Sequence, residues 1–153
     1  MFNFQNYWNM KEIELPYTIQ TNDKLIVFSE PKSSNITFEN KSQQWYYKTK
    51  IDGGVFPCGV KPKKCDWKLE KCENGLKFFV ELKGSKIKEA VPQLEQTIEL
   101  LAKNENGNCA FIVFSNKCST SADENQNIVK TFWTKYKIHL FIVRSGSKFN
   151  LDS

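Results

Sequence analysis

Two six-residue apolar runs, Cys109–Phe114 (CAFIVF) and Ile138–Val143 (IHLFIV), constrain this chain more than any other feature. A strand that is apolar on both sides must be covered on both faces, and such strands sit inside sheets clothed by helices. The segment between the runs reads as a helix from about Glu124 to Lys137, after the polar stretch Ser119–Asp123. Upstream, Ile87, Ala90, Val91, Leu94, Ile98 and Leu101 recur at helical spacing to about residue 103, with Ser85 placed to cap them. Pro92 inside that pattern predicts a kink or a late start. From Leu76 onward the order is therefore strand, helix, strand, helix, strand. That order predicts an α/β domain with a central mixed or largely parallel sheet flanked by helices.

The first half reads as strands and turns. Lys24–Ser29, Asn35–Lys41 and Gln44–Ile51 have strand composition, and Asp52-Gly53-Gly54 ends the last of them. Residues 1–23 show no clear pattern, and the tail from Ser145 is polar. A chain of 153 residues, 40% hydrophobic and 25% charged, is expected to fold as one globular domain. No apolar run approaches the roughly 20 residues of a membrane helix, and Met1–Trp8 lacks the pattern of a secretory signal. A cytoplasmic protein is expected. Its five cysteines cannot all pair with one another, so reduced thiols are expected. The spacing of Cys58, Cys65 and Cys72 does not suit a zinc site.

The sharpest local feature is Asn74-Gly75 between Cys65–Cys72 and Leu76–Lys83, a hairpin signal. A two-residue turn there would pair Glu73 with Leu76, Asp66 with Lys83, and Lys68 with Glu81. Trp67, Leu69, Val80 and Leu82 would then face the core. Asp66, Glu81 and Lys83 would share the other, polar face, with Glu81 diagonal to Asp66. Two carboxylates and a lysine so placed suit phosphodiester hydrolysis. The carboxylates hold Mg²⁺ or Mn²⁺, the metal polarises the phosphate and acidifies a water, and the lysine orients that water and offsets developing charge. The simpler alternative is a surface ion pair between Asp66 and Lys83.

Asp66 followed fifteen residues later by Glu81-Leu82-Lys83, within FVELKG (Phe79–Gly84) and directly before a helix, resembles the motif of the PD-(D/E)XK, or restriction-endonuclease-like, nuclease superfamily. Cys65 stands where many members have proline. The resemblance covers roughly residues 44–115. It implies a core of helix, three strands, helix and strand, with residues 116–145 as an added helix and strand. It also implies that Asp66 and Glu81 bind metal, that Lys83 assists the water, and that Gln93 on the following helix supports the site. The superfamily's first helix has no clear counterpart, and Glu30 or Glu39 would have to supply any acidic ligand it brings.

Asp52 is a further candidate ligand, beside or in place of Asp66, with a turn role as the alternative. Lys61, Lys63, Lys64 and Lys68 are candidate nucleic-acid contacts. The net charge of +5 suits a polyanion, and with Arg144 the only arginine among 22 basic residues, backbone contact should outweigh guanine reading. Trp45, Tyr46 and Tyr47 with Lys48 and Lys50 read first as strand core with solvated lysines, and second as a stacking patch. His139, alternating with apolar neighbours, reads as structural. The expected function is metal-dependent endonucleolytic cleavage of DNA, in defence against foreign DNA or in DNA processing, by a homodimer whose two sites serve two strands. The alternative is a catalytically inactive protein of this fold that binds nucleic acid or a protein partner.

Overall fold

In chain order the elements are a 3-10 helix Leu15–Tyr17, β1 Thr18–Thr21, β2 Leu25–Ser29, β3 Asn35–Glu39, β4 Tyr46–Lys50, β5 Trp67–Lys71, β6 Lys77–Gly84, α1 Ile87–Leu101, β7 Cys109–Phe114, α2 Ala122–Tyr136, β8 His139–Arg144 and β9 Ser147–Asn150. The computed structural model describes residues 12–30, 34–84 and 86–152, with Lys83 and Gly84 described by their backbone alone. Ser85, expected to cap α1, lies outside the described residues.

The main sheet has six strands in the order β1-β4-β5-β6-β7-β8. β1, β4, β5 and β6 pair antiparallel, and β6, β7 and β8 pair parallel. Helix α1 packs on β6 and β7, and α2 on β8. This is the mixed α/β sheet that the two apolar runs require. Ala110, Phe111, Ile112 and Val113 are all buried, because both faces of β7 are covered.

A second sheet covers the other face. It joins β2, β3 and β9, with β9 parallel to β3. The alternation of Ile26 and Phe28 in β2 and of Ile36 and Phe38 in β3 buries one side of this sheet. These residues meet Leu69, Phe78, Val80, Leu82, Phe111 and Val113 of the main sheet. Phe38 stands edge-on to Phe111 at 5.1 Å and to Phe28 at 5.4 Å, the geometry that aromatic quadrupoles favour. The sequence pointed to one central sheet and a polar tail. The tail instead forms β9, because Phe149 inserts into this aromatic cluster, 5.0 Å from Phe111. No described helix is long and apolar enough to cross a membrane.

The remaining expectations fall close to the observed elements. Helix α1 runs through Pro92, which is exposed. Its first residue is held from outside, where Ile87 N–H donates to Ser119 Oγ at 3.1 Å. Helix α2 begins at a Ser121 cap that accepts from Glu124 N–H at 3.1 Å.

Candidate metal centre

The β5–β6 hairpin fixes where the acidic residues stand, and its register differs from the expected one. The ladder pairs Trp67 with Val80, Lys68 with Phe79, Leu69 with Phe78 and Glu70 with Lys77. Lys71 N–H closes the loop onto Leu76 O at 2.8 Å, and Gly75 N–H reaches back to Lys71 O at 2.8 Å. The loop is therefore Cys72–Gly75, two residues longer than a tight Asn-Gly turn. Two bonds draw it out. Cys72 N–H stays on β4, donating to Trp45 O at 3.0 Å, and Asn74 Oδ1 accepts from Leu76 N–H at 3.0 Å. Gly75 supplies the positive φ of +74° that the loop needs.

A shift of two residues preserves the faces, whereas a shift of one would have reversed them. Continuing this register sets Asp66 opposite Glu81 rather than Lys83. The ladder stops there. Asp66 N–H donates to Val80 O at 3.1 Å, out of step with the pairing, and Asp66 Oδ2 accepts from Leu82 N–H at 2.8 Å. The Asp66 carboxylate thus takes the place of a ladder carbonyl where β5 leaves β6. On the other side of β6, Leu82 pairs with Val113 and Gly84 with Phe114, so Lys83 is the extra residue of a bulge. Bulges re-aim side chains and are enriched beside active sites.

The face expected to be polar is not a solvent face. Phe79 on it is fully buried, and Glu81 is only 2% exposed. The core beneath α1 contains Phe79, Cys65, Ile51, Leu94 and Ile98. The buried Cys65 thiol senses both carboxylates: burial raises its pKa most, and the charges of Glu81 and then Asp66 raise it further. Asp66 and Glu81 therefore lie within electrostatic reach of one sulfur, at one end of the sheet.

Asp52 joins them. Beyond β4, Ile51 N–H donates to Asp66 O at 2.9 Å and Asp52 N–H to Cys65 O at 3.1 Å. Burial raises the Asp52 pKa, the charge of Asp66 adds to the rise, and Lys50 and Lys63 oppose it. Gly54 is required in this turn, since a Cβ there would lie 2.3 Å from Lys50 O. Glu30 lies at the same end and is paired with Lys50. Glu39 is at the far end of its strand, where β3 meets Leu25 and Asn150.

The other expected residues divide. Lys61 and Lys63 are exposed on the loop before Asp66. Lys64 is 5% exposed, bonded to Pro62 O and lying over the Phe56 ring. Lys68 is 4% exposed, lies opposite Phe79 rather than Glu81, and is paired with Glu14 and Glu70. Burial and these partners remove Lys64 and Lys68 from the basic surface expected of them. Lys48 and Lys50 pack over Trp67, with Nζ at 4.9 and 4.7 Å from its ring, and Tyr46 is buried, whereas Trp45 is exposed and Tyr47 half-buried, so only part of this segment is core. His139 is exposed and stacks on Trp133 at 4.6 Å. The side chain of Lys83 lies outside the described residues.

Gln93 is half-buried on α1, one turn before Thr97. Thr97 is a site residue the sequence reading missed. It is fully buried, accepts from Cys65 N–H at 2.8 Å and donates to Gln93 O at 2.8 Å, tying α1 to the residue before Asp66. Its signal was a hydroxyl on the apolar stripe of a helix, between Leu94 and Ile98.

Among the described residues, no three His, Cys, Asp or Glu side chains converge as a ready metal cage. Asp66 and Glu81 remain as a carboxylate pair set opposite one another by the strand register, and Mg²⁺ is commonly held by one or two carboxylates, waters and phosphate oxygens. Comparison with protein-family models, with curated proteins and with solved structures finds no match.

Proposed function

We propose that this protein is a divalent-metal-dependent nuclease that hydrolyses DNA phosphodiester bonds. The observation that carries the reading is the register that sets Asp66 opposite Glu81 at the end of the β5–β6 pair, beside a bulge that holds Lys83. The succession β4, β5, β6, α1, β7 supports it. Three strands followed by a helix and a strand is the order that the resemblance to PD-(D/E)XK nucleases implies after its first helix.

The residues present fit a hard cation. Asp52 and Asp66 repel one another electrostatically, and a cation between or beside them relieves that repulsion. Asp66 and Glu81 would hold the ion, with Asp52 as an additional ligand. When bound, Mg²⁺ or Mn²⁺ polarises a phosphoryl oxygen and lowers the pKa of a bound water. Lys83 is assigned to orient the attacking water and to offset charge on the phosphorane. Thr97 holds α1 against Cys65, the residue before Asp66, and Gln93 is assigned to support the site from the same helix. Lys61 and Lys63, exposed on the loop before Asp66, would meet the phosphate backbone. A homodimer would present two such sites to a duplex.

One observation favours the other reading, a nucleic-acid- or protein-binding relative without activity. Asp66 already serves a structural purpose on Leu82 N–H, and no third ligand stands ready among the described residues. Calorimetric titration with Mn²⁺ separates the two. The nuclease takes up Mn²⁺ and loses it in Glu81→Gln, whereas a pure binder shows no uptake in either protein.

A further inference from the structure

Among the described residues, the helical face of the main sheet has a gap. Helix α1 covers β6 and β7, and the 3-10 helix packs over β4, which leaves β5 between them. A cavity of about 440 Å³ opens there, walled by Leu15, Thr18, Tyr47 and Thr49. Its floor is Lys68 and Glu70, 4% and 7% exposed, and Glu14 closes one side. That volume lies within the range of small-ligand sites, roughly 300–1,000 Å³, and so does the mixture of an apolar wall with a few fixed polar groups.

The floor is costly to maintain. Lys68 is paired with Glu14 and, at 3.4 Å, with Glu70, while Glu70 also meets Lys77 at 3.7 Å. Apolar residues of similar volume would commonly be no less stable at such a position. Binding gives a reason to keep the charges. Among the described residues the lining carries Glu12, Glu14 and Glu70 against Lys68, a balance that repels phosphate. It offers carboxylate acceptors to a neutral group with N–H donors, and apolar walls to a flat ring.

Location names that group. Lys68 is two residues along the chain from Asp66, which directly precedes β5, a separation of about 7 Å in extended backbone. At that separation a strand with a phosphate at Asp66 and Glu81 would reach the cavity with an adjoining nucleotide. Resting on the nuclease reading, we propose that the cavity is a subsite for one unpaired nucleobase of the substrate strand, next to the phosphate at the metal centre. Bases with exocyclic amino groups suit Glu14 and Glu70 better than thymine does. The substrate is then a single strand or a duplex with one nucleotide turned out.

The test is fluorescence anisotropy with labelled single-stranded oligonucleotides of adenine, of thymine, and of abasic sites, in EDTA to prevent cleavage. The parent should bind the adenine strand roughly ten-fold tighter than the abasic strand, the scale of one seated base, with thymine between them. Leu15 is 65% exposed, so Leu15→Trp fills the cavity mouth without entering the core. It should melt like the parent and bind all three strands at the abasic level. Glu70→Gln should narrow the preference for adenine over thymine. Equal binding of base-bearing and abasic strands by a parent that cuts DNA would overturn the subsite and leave the nuclease reading standing. A Leu15→Trp protein that keeps the adenine preference would also overturn the subsite. A parent that binds none of the strands and cuts no DNA would overturn both.

Discussion

Replacing Asp66 separates its two roles. Its Oδ2 accepts from Leu82 N–H at 2.8 Å where the β5–β6 ladder ends. A hydrogen bond to a charged acceptor contributes about 1.5–3 kcal/mol, and a stranded backbone N–H adds its own desolvation cost. Asp66→Ala should therefore destabilise the domain by about 2 kcal/mol, offset slightly by relief of the repulsion with Asp52. In a domain of this size that lowers Tm by roughly 4–8 °C. Asp66→Asn keeps an oxygen acceptor for Leu82 and loses only the charge, so its Tm should stay within about 3 °C of the parent's. Both variants should bind Mn²⁺ at least about ten-fold more weakly, a loss of about 1.4 kcal/mol in binding. Differential scanning calorimetry reads the first effect and Mn²⁺ titration the second. An Ala variant that melts like the parent would refute the structural role. An Asn variant with parental Mn²⁺ affinity would refute the metal role.

Thr97→Val should cost about 1–3 kcal/mol in urea unfolding by stranding Cys65 N–H, and Thr97→Ser should recover most of it. Gly54→Ala should destabilise by about 1–3 kcal/mol, because its Cβ would be driven into Lys50 O; a Tm unchanged from the parent would contradict this. The folded-state pKa of Asp52 is raised, first by burial, so the native state holds that proton more tightly than the unfolded chain does. Stability from this group is full below the ordinary value of 3.8 and is lost as pH rises through the raised value. Asp52→Asn should therefore be more stable than the parent at pH 7 and equal to it below pH 3.8, in melts across pH without divalent metal. Lys83→Ala should abolish cleavage while leaving oligonucleotide affinity nearly unchanged, as measured by anisotropy beside a cleavage assay.

The parts of the fold legible in the sequence are those written in long patterns. CAFIVF and IHLFIV announced β7 and β8, and the stripe from Ile87 to Leu101 announced α1. The short elements were not legible. β9 is four residues whose only large apolar side chain is Phe149, and its pairing with β3 joins segments about 110 residues apart, which no local pattern encodes. Asn74-Gly75 correctly marked a hairpin but not its loop length, because Cys72 is held by Trp45 on a neighbouring strand. The faces of β6 followed from alternation and survived the two-residue shift. Burial did not follow: Glu81 and Lys68 are ionisable residues that alternation alone would set on a polar face, whereas α1 packs on β6 and Glu14 pairs with Lys68.

The central claim is tested most directly by incubating the purified protein with labelled duplex, branched and single-stranded DNA and with RNA, in Mg²⁺, Mn²⁺ or EDTA, beside Glu81→Gln as a folded control. The account predicts phosphodiester cleavage of at least one DNA in Mg²⁺ or Mn²⁺, none in EDTA, and none by Glu81→Gln at parental stability. Cleavage that persists in EDTA or in Glu81→Gln, or a parent that cuts no substrate even in Mn²⁺, would contradict it.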